Sequence, residues 1–258
     1  MAGEAREIAK AFVDARRNGA ALAAYPGTPP GDLAAAYAIQ DSALALWNRP
    51  IGGWKVGRIN PPEDSRLGAN RLAGPVFADT IQPPSGDVRH FDIFQAGFAA
   101  AEAEFMLRLA PRGTELPRTP IEAMDWIDEI RIGVEIASSP YPGINADGPC
   151  VTVSDHGNNA GLALGPIVPR TLWTQLDEIA VTVEIDGKQV GKATTATMLD
   201  GAFGAAAFLL DNLAQRGIPL AAGWWISSGA ITGVHTVVPG NMVVARFSGI
   251  GEISGTVR

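Results

Sequence analysis

Apolar positions in the first fifth of the chain repeat with a helical period. Ile8 and Phe12 share one face of residues 4–17, with Ala5 and Ala9 beside them, and Leu33, Tyr37, Gln40, Leu44 and Trp47 line a second amphipathic stretch. The Pro/Gly-rich loop 25–31 separates the two. Beyond about residue 50 the pattern shortens into apolar pieces punctuated by Gly, Pro and Asp, as in Gly53-Trp54-Lys55-Val56-Gly57 and Pro75-Val76-Phe77-Ala78-Asp79. Residues 101–109 read as a strand. Thr119-Pro120-Ile121-Glu122 has the cap, proline and Glu of a helix start, and predicts a helix to about Ile130 followed by a strand, Arg131 to Ala137. Val181 to Ile185 followed by Asp186-Gly187 signals a hairpin. A helix over 199–215 stops at Gly217, and strands are expected at Trp225 to Ile231, Met242 to Phe247 and Glu252 to Val257. The expectation is an α+β fold: residues 1–50 form a helical layer on a β-rich body spanning 51–258.

Composition narrows the function. Gly 30 and Pro 19 in 258 residues imply many tight turns. A net charge of -7 with no Lys/Arg cluster argues against nucleic acid or an anionic membrane as partner. The single cysteine, Cys150, excludes an internal disulfide framework and reads as a small buried residue. The N-terminus lacks an apolar signal core, and the longest apolar run, near 201–210, is far short of the roughly 18 residues that span a bilayer, so a cytoplasmic protein is expected. No Gly-rich phosphate loop follows a strand.

The informative anomaly is acid within apolar strands. Glu102 and Glu104, two apart, project from one strand face while Ala101 and Ala103 occupy the other. Glu135 sits in Gly133-Val134-Glu135-Ile136-Ala137. On spacing alone, Glu-x-Glu equally marks a solvated strand face. Three buried carboxylates, by contrast, need a cation, and an oxygen-only donor set selects a hard ion, Mg²⁺ or Mn²⁺. Lys55, between Trp54 and Val56, either snorkels to solvent or, if desolvated, loses basicity and exchanges protons near neutral pH. Asp79 could partner it or cap a turn. His90, His156 and His235 lack metal-ligand spacing and read as surface or loop residues. His156, in the polar loop 154–159, is the one that could line a pocket.

Taken in order, Ala36-Tyr37-Ala38-Ile39-Gln40, the Gly53–Gly57 segment, Glu102-Ala103-Glu104-Phe105, Gly133-Val134-Glu135-Ile136 and residues 213–220 resemble the 2-oxopent-4-enoate hydratase and 4-oxalocrotonate decarboxylase family of the fumarylacetoacetate hydrolase superfamily. The resemblance runs nearly end to end. It implies a β-rich mixed sandwich or roll with N-terminal helices, Mg²⁺ or Mn²⁺ on Glu102, Glu104 and Glu135, catalytic Lys55 and Asp79, a small 2-oxo acid substrate, and a homo-oligomer. Hydration of a 2-oxo-alkenoate leads. Decarboxylation of a 2-oxo dicarboxylate follows, with Arg58 and His156 as candidates for a second carboxylate; acylpyruvate-type hydrolysis and a non-catalytic partner subunit come after. The chain departs from the family pattern at Asp155-His156-Gly157-Asn158 and over 193–202, so Asp155, His156, Asn158 and Thr195 are the expected substrate contacts and the exact substrate stays open.

Overall fold

The computed structural model describes residues 2–85, 89–113 and 115–258. Two helices open it, α1 (Ala2–Asn18) and α2 (Leu33–Trp47), the second capped by the Asp32 side chain, which accepts from the Ala35 amide at 2.8 Å. Their apolar stripes meet each other through Ile8, Phe12, Val13, Ile39 and Ala43. Ala36, on the next turn of α2, packs instead on Ile59, Leu72, Cys150 and Val153 of the main body. Cys150 is buried, as its sequence context suggested.

The body is built on two sheets. Strands β1 (Ile51–Arg58) and β2 (Arg71–Phe77), bridged by the short helix α3 (Glu63–Leu67), start the larger one. The short strand β3 (Ile81–Gln82) closes its far edge, while β4 (Arg89–Phe91) belongs to the smaller sheet. The long strands β5 (Phe98–Leu109) and β6 (Ile127–Ser139) pair antiparallel at the centre, with α4 (Pro120–Met124) between them in sequence. After α5 (Pro149–Ser154) comes β7 (Asn159–Ile167), then the hairpin β8 (Val181–Ile185) and β9 (Lys188–Ala193), turned at Asp186-Gly187 as its sequence requires. Helix α6 (Gly201–Gln215) leads to β10 (Trp225–Ser227), β11 (His235–Thr236), β12 (Met242–Phe247) and β13 (Gly251–Val257). The larger sheet runs β2-β1-β10-β5-β6-β7-β3, with β11 also on β5; the smaller runs β4-β13-β12-β8-β9.

Alternation on the central pair divides the molecule. Ala101, Ala103, Phe105 and Leu107 of β5 and Ile130, Ile132, Val134 and Ile136 of β6 face a core shared with Val183, Val243, Phe247 and Ile253 of the smaller sheet and with α6. The Phe105 and Phe247 rings meet at 5.3 Å between centroids. The opposite face of the same two strands carries the acids.

Two elements differ from the sequence expectation. The capping box at Thr119 and Glu122 forms, but the helix ends at Met124 and the strand begins at Ile127, not Arg131. Pairing with β5 from Leu109↔Ile127 onward takes over residues that periodicity had assigned to helix, because burying Ile127 and Ile130 against β5 outweighs local propensity. The strand expected at 225–231 stops at Ser227, where the chain leaves the sheet to present its backbone to the acid cluster.

Gly53 fixes how closely β1 and β10 approach. A Cβ there would lie 2.0 Å from the Trp225 carbonyl oxygen, its parallel partner. Gly53→Ala is expected to lower the thermal midpoint by about 5 °C or more, a strand-pairing defect of at least about 2 kcal/mol; an unchanged melting curve by circular dichroism would contradict that packing.

Candidate metal centre

Antiparallel register places Glu102 directly opposite Glu135, and Glu104 opposite Gly133 one step along. Like charges facing each other across strands are destabilising. Here they are also desolvated: Glu102 is 5% exposed, and Glu104 and Glu135 not at all. One carboxylate oxygen from each of the three lies within 4.8 Å of the others.

The hydrogen bonds are unequally shared in a way that points to a missing partner. Glu104 Oε2 accepts from Ser227 Oγ at 2.5 Å and from the Gly229 amide at 2.8 Å, while Oε1 has no hydrogen-bond partner among the described residues. Glu135 Oε1 accepts from Asn159 Nδ2 at 2.8 Å and lies 3.2 Å from Lys55 Nζ, while Oε2 has none. Each of these glutamates is thus anchored through one oxygen and leaves the other bare. A bare buried carboxylate oxygen costs several kcal/mol unless something positive meets it. Burial pushes Glu102 up to about 7, helped by repulsion from Glu135 and opposed by Lys55. Burial, then Glu135 and Glu102, push Glu104 well above the usual carboxylate range, against Lys55 and Ser227. The cluster must therefore either bind protons or hold a cation. Three carboxylates, one ammonium and one divalent ion are together neutral, and an all-oxygen donor set suits a hard ion. The residues fit Mg²⁺ or Mn²⁺.

Lys55 follows neither branch of its sequence reading in full: it is buried and does not snorkel, yet it keeps its basicity. It is 4% exposed, and burial alone would strip its proton, but Glu135, Glu102 and Glu104, with the hydrogen bond to Glu135, outweigh that and hold its pKa above the ordinary value. The side chain is an ammonium at neutral pH, a proton donor and not a base. Nζ also donates to Asn158 Oδ1 at 3.3 Å, and Asn158 Nδ2 in turn donates to Asn145 Oδ1 at 2.9 Å.

A cavity of about 750 Å³ opens onto this cluster. Lys55, Glu102, Asn158 and Ser228 line it, together with Arg58, Arg71 and residues 197–199. The Ser228 hydroxyl is buried there without a partner.

Of the other expected site residues, Asn158 is brought to Lys55 and the rest are not. Asp79 lies in a turn after β2 with its side chain 64% exposed, ion-paired to Arg49; β2 ends at Phe77 and carries the chain outward, away from Lys55. Asp155 is fully buried and gripped by Arg16 at 2.5 Å, facing the N-terminal helix and not the cavity. Thr195 is fully buried and donates to Asp177 at 2.7 Å; its neighbour Thr197 reaches the cavity instead. His156 is neither a surface residue nor a pocket residue. It is enclosed between the Trp47 ring at 5.6 Å and the Phe77 ring at 5.3 Å, with φ 56; among the described residues neither ring nitrogen has a hydrogen bond, and Nδ1 lies 3.8 Å from Asp155 Oδ1. Gly74 allows this loop to close on β2, since a Cβ there would meet the His156 carbonyl oxygen at 2.1 Å. Asn159, Ser227, Gly229 and Ser228 are the site residues that periodicity missed. Only the polar pairs Asn158-Asn159 and Ser227-Ser228 next to apolar strands marked them.

Two outcomes are expected. Glu104→Ala removes a ligand and its bare oxygen, so Mn²⁺ affinity by calorimetry should fall more than about a hundredfold, beyond what loss of a residue that only orients a ligand does. Burial, then Arg16 and Arg49, lower His156 to about 3, with Asp155 opposing. Between the unfolded value near 6.5 and about 3 the unfolded chain therefore holds a proton that the native one refuses. The His156 contribution to native stability should be full above pH 6.5 and be lost as pH drops toward 3, so the urea midpoint of His156→Leu should decline less over that window than that of the parent. Parallel declines would remove His156 from the account.

Comparison with known proteins follows the same lines. The chain is 26% identical over 253 residues to a 2-keto-4-pentenoate hydratase of Burkholderia vietnamiensis, covering 94% of this chain and 93% of the relative. It is 28% identical over 208 residues to a 4-oxalocrotonate decarboxylase of Pseudomonas putida, covering 79% and 76%. Its fold matches that of 4-oxalocrotonate decarboxylase from Pseudomonas putida G7, solved with magnesium and adipate, at a TM-score of 0.83 and 21% identity over 100% of this chain and 98% of that one. Residues 73–258, which hold all three glutamates, match the fumarylacetoacetate (FAA) hydrolase C-terminal family, and the chain belongs to that family.

Proposed function

We propose that the protein is a divalent-metal-dependent lyase that adds water to a small 2-oxo-alkenoate of the 2-hydroxypenta-2,4-dienoate type, giving a 4-hydroxy-2-oxo acid. The observation that carries this reading is the buried trio Glu102, Glu104 and Glu135, one oxygen of each within 4.8 Å of the others, next to a cavity of about 750 Å³ lined by Glu102 and Lys55. A divalent ion held by Glu102, Glu104 and Glu135 supplies Lewis acidity toward a chelating 2-oxo acid. The hydratase relatives, aligned over nearly their whole length, support the substrate class.

The chain's own residues supply the rest. Lys55 lines the cavity as an ammonium, and its part is to give a proton to the substrate's carbon skeleton and to take one back from the adding water. Asn158 and Glu135 hold that ammonium from two sides and fix its direction. The unpartnered Ser228 hydroxyl is placed to hydrogen-bond a bound acid or the attacking water. Asp79, ion-paired to Arg49 on the turn after β2, is given no role in this reading.

A second reading, decarboxylation of a 2-oxo dicarboxylate, is favoured by one feature. Arg58 and Arg71, cross-strand partners at the end of β1 and the start of β2, both line the cavity. Arg71 is ion-paired to Asp200, whereas Arg58 makes no ion pair among the described residues, leaving a cation to meet a distal carboxylate. Assembly into a homo-oligomer belongs to the same overall reading.

The readings separate in one assay. With Mg²⁺ and 2-hydroxypenta-2,4-dienoate, loss of the dienol absorbance without CO₂ supports the hydratase; CO₂ released from 4-oxalocrotonate supports the decarboxylase. Lys55→Ala is expected to lower turnover by about 10²-fold or more at saturating Mn²⁺. Full turnover in that variant would remove Lys55 from the chemistry, and silence with both substrates in metal-loaded protein would overturn the substrate class.

A further inference from the structure

The metal-site reading leaves one feature of the N-terminal helix unexplained. Arg16, on the last turn of α1, is 9% exposed and sends its whole guanidinium into the body of the protein. Nε and Nη2 form a two-pronged pair with Asp155, at 2.5 and 2.8 Å to its two carboxylate oxygens. Nη1 donates to the Asn159 carbonyl oxygen at 2.9 Å, and Nη2 lies 3.2 Å from the Ser138 carbonyl oxygen. The contacts converge on one place. The ladder between β6 and β7 slips register between Ile136 and Ala137, where Ala137 pairs with Asn159, the first residue of β7. Regular pairing cannot set the position of Asn159 at such an irregularity. Arg16 binds backbone on both sides of it, Ser138 on β6 and Asn159 on β7.

Asn159 is also the residue whose side chain anchors Glu135, from Nδ2 to Oε1 at 2.8 Å. That bond decides which Glu135 oxygen is held by the protein and which stays bare. Without that bond the Glu135 carboxylate is free to rotate relative to Glu102 and Glu104. Surface solubility does not explain Arg16, because every donor contact it makes is internal. Nor does packing alone, because a buried guanidinium is costly and gains only when its fork is filled by matching acceptors.

We propose that Arg16 is a positioning residue of the metal centre: through the Asn159 backbone it fixes the side chain that orients Glu135, with Asp155 as its counter-charge, so the N-terminal helix is part of the site. The inference rests on the metal reading above. Sequence placed Asp155 against substrate; here it acts through Arg16, one element further out.

The test is a Mn²⁺ titration by calorimetry on the full chain, alongside backbone amide exchange measured without metal. Arg16→Gln keeps length and polarity but loses charge and fork, and should weaken Mn²⁺ about tenfold, the range for residues that orient a ligand, while raising exchange across residues 155–160. Asn159→Leu should weaken Mn²⁺ to a similar degree, and the double variant should lose little more than either single one, because both act through the same Glu135 oxygen. Phe12→Leu, which loosens α1 without touching the clamp, is the control and should leave Mn²⁺ affinity at the parental value. Parental affinity in folded Arg16→Gln would overturn the proposal, as would an equal loss in Phe12→Leu, which would make Arg16 merely structural. Should Arg16→Gln not fold, Asn159→Leu against Phe12→Leu decides the same question. A parent chain that takes up no Mn²⁺ would instead bring down the metal reading, and the clamp's purpose with it.

Discussion

Everything in this fold is organised around a like-charge contact that ought not to exist by itself. Glu102 and Glu135 face each other across the most extensive strand pair in the molecule, sealed from solvent, with Glu104 one step along. Register cannot slip to relieve it, because a one-residue shift would carry Phe105, Ile132 and Val134 out of the core shared by the two sheets. The hydrophobic face of β5 and β6 thus holds the acids together against their own repulsion. The tension is local, and a compact positive charge relieves it.

Around that contact the supporting groups divide the carboxylates into held and free oxygens. Ser227 and Gly229 hold one side of Glu104; Asn159 and Lys55 hold one side of Glu135. The early end of β10 and the slipped start of β7 look like imperfections in the sheets, yet the first frees the Gly229 amide for Glu104 and the second is where the Asn159 side chain reaches Glu135. Lys55 adds a single positive charge, too little to balance three carboxylates, and in return those carboxylates keep it protonated. Its electrostatic setting makes it an acid at rest, which burial by itself would have reversed.

Much of this was legible in the residues. Alternation over 101–109 put Glu102 and Glu104 on one face opposite alanines, and Glu135 in its apolar frame announced a buried acid; both held, because a strand's two-residue period is set by covalent geometry and needs no knowledge of neighbours. Helix α2 and the turn at Asp186-Gly187 were equally local matters. The helix after Thr119 was overestimated because its cap is a local signal, whereas its end is decided by partners on β5.

What the chain alone determined, then, is which residues are acidic, apolar or turn-forming and which of them share a face. Only the tertiary structure decided which of these meet: that Lys55 finds Glu135 and Asn158, that Asp79 turns outward to Arg49, that His156 is shut between Trp47 and Phe77, and that Arg16 crosses from the first helix to a loop far along the chain. The reason is physical. Face and period are properties of a few consecutive bonds, while a contact between distant residues depends on every strand and loop that lies between them.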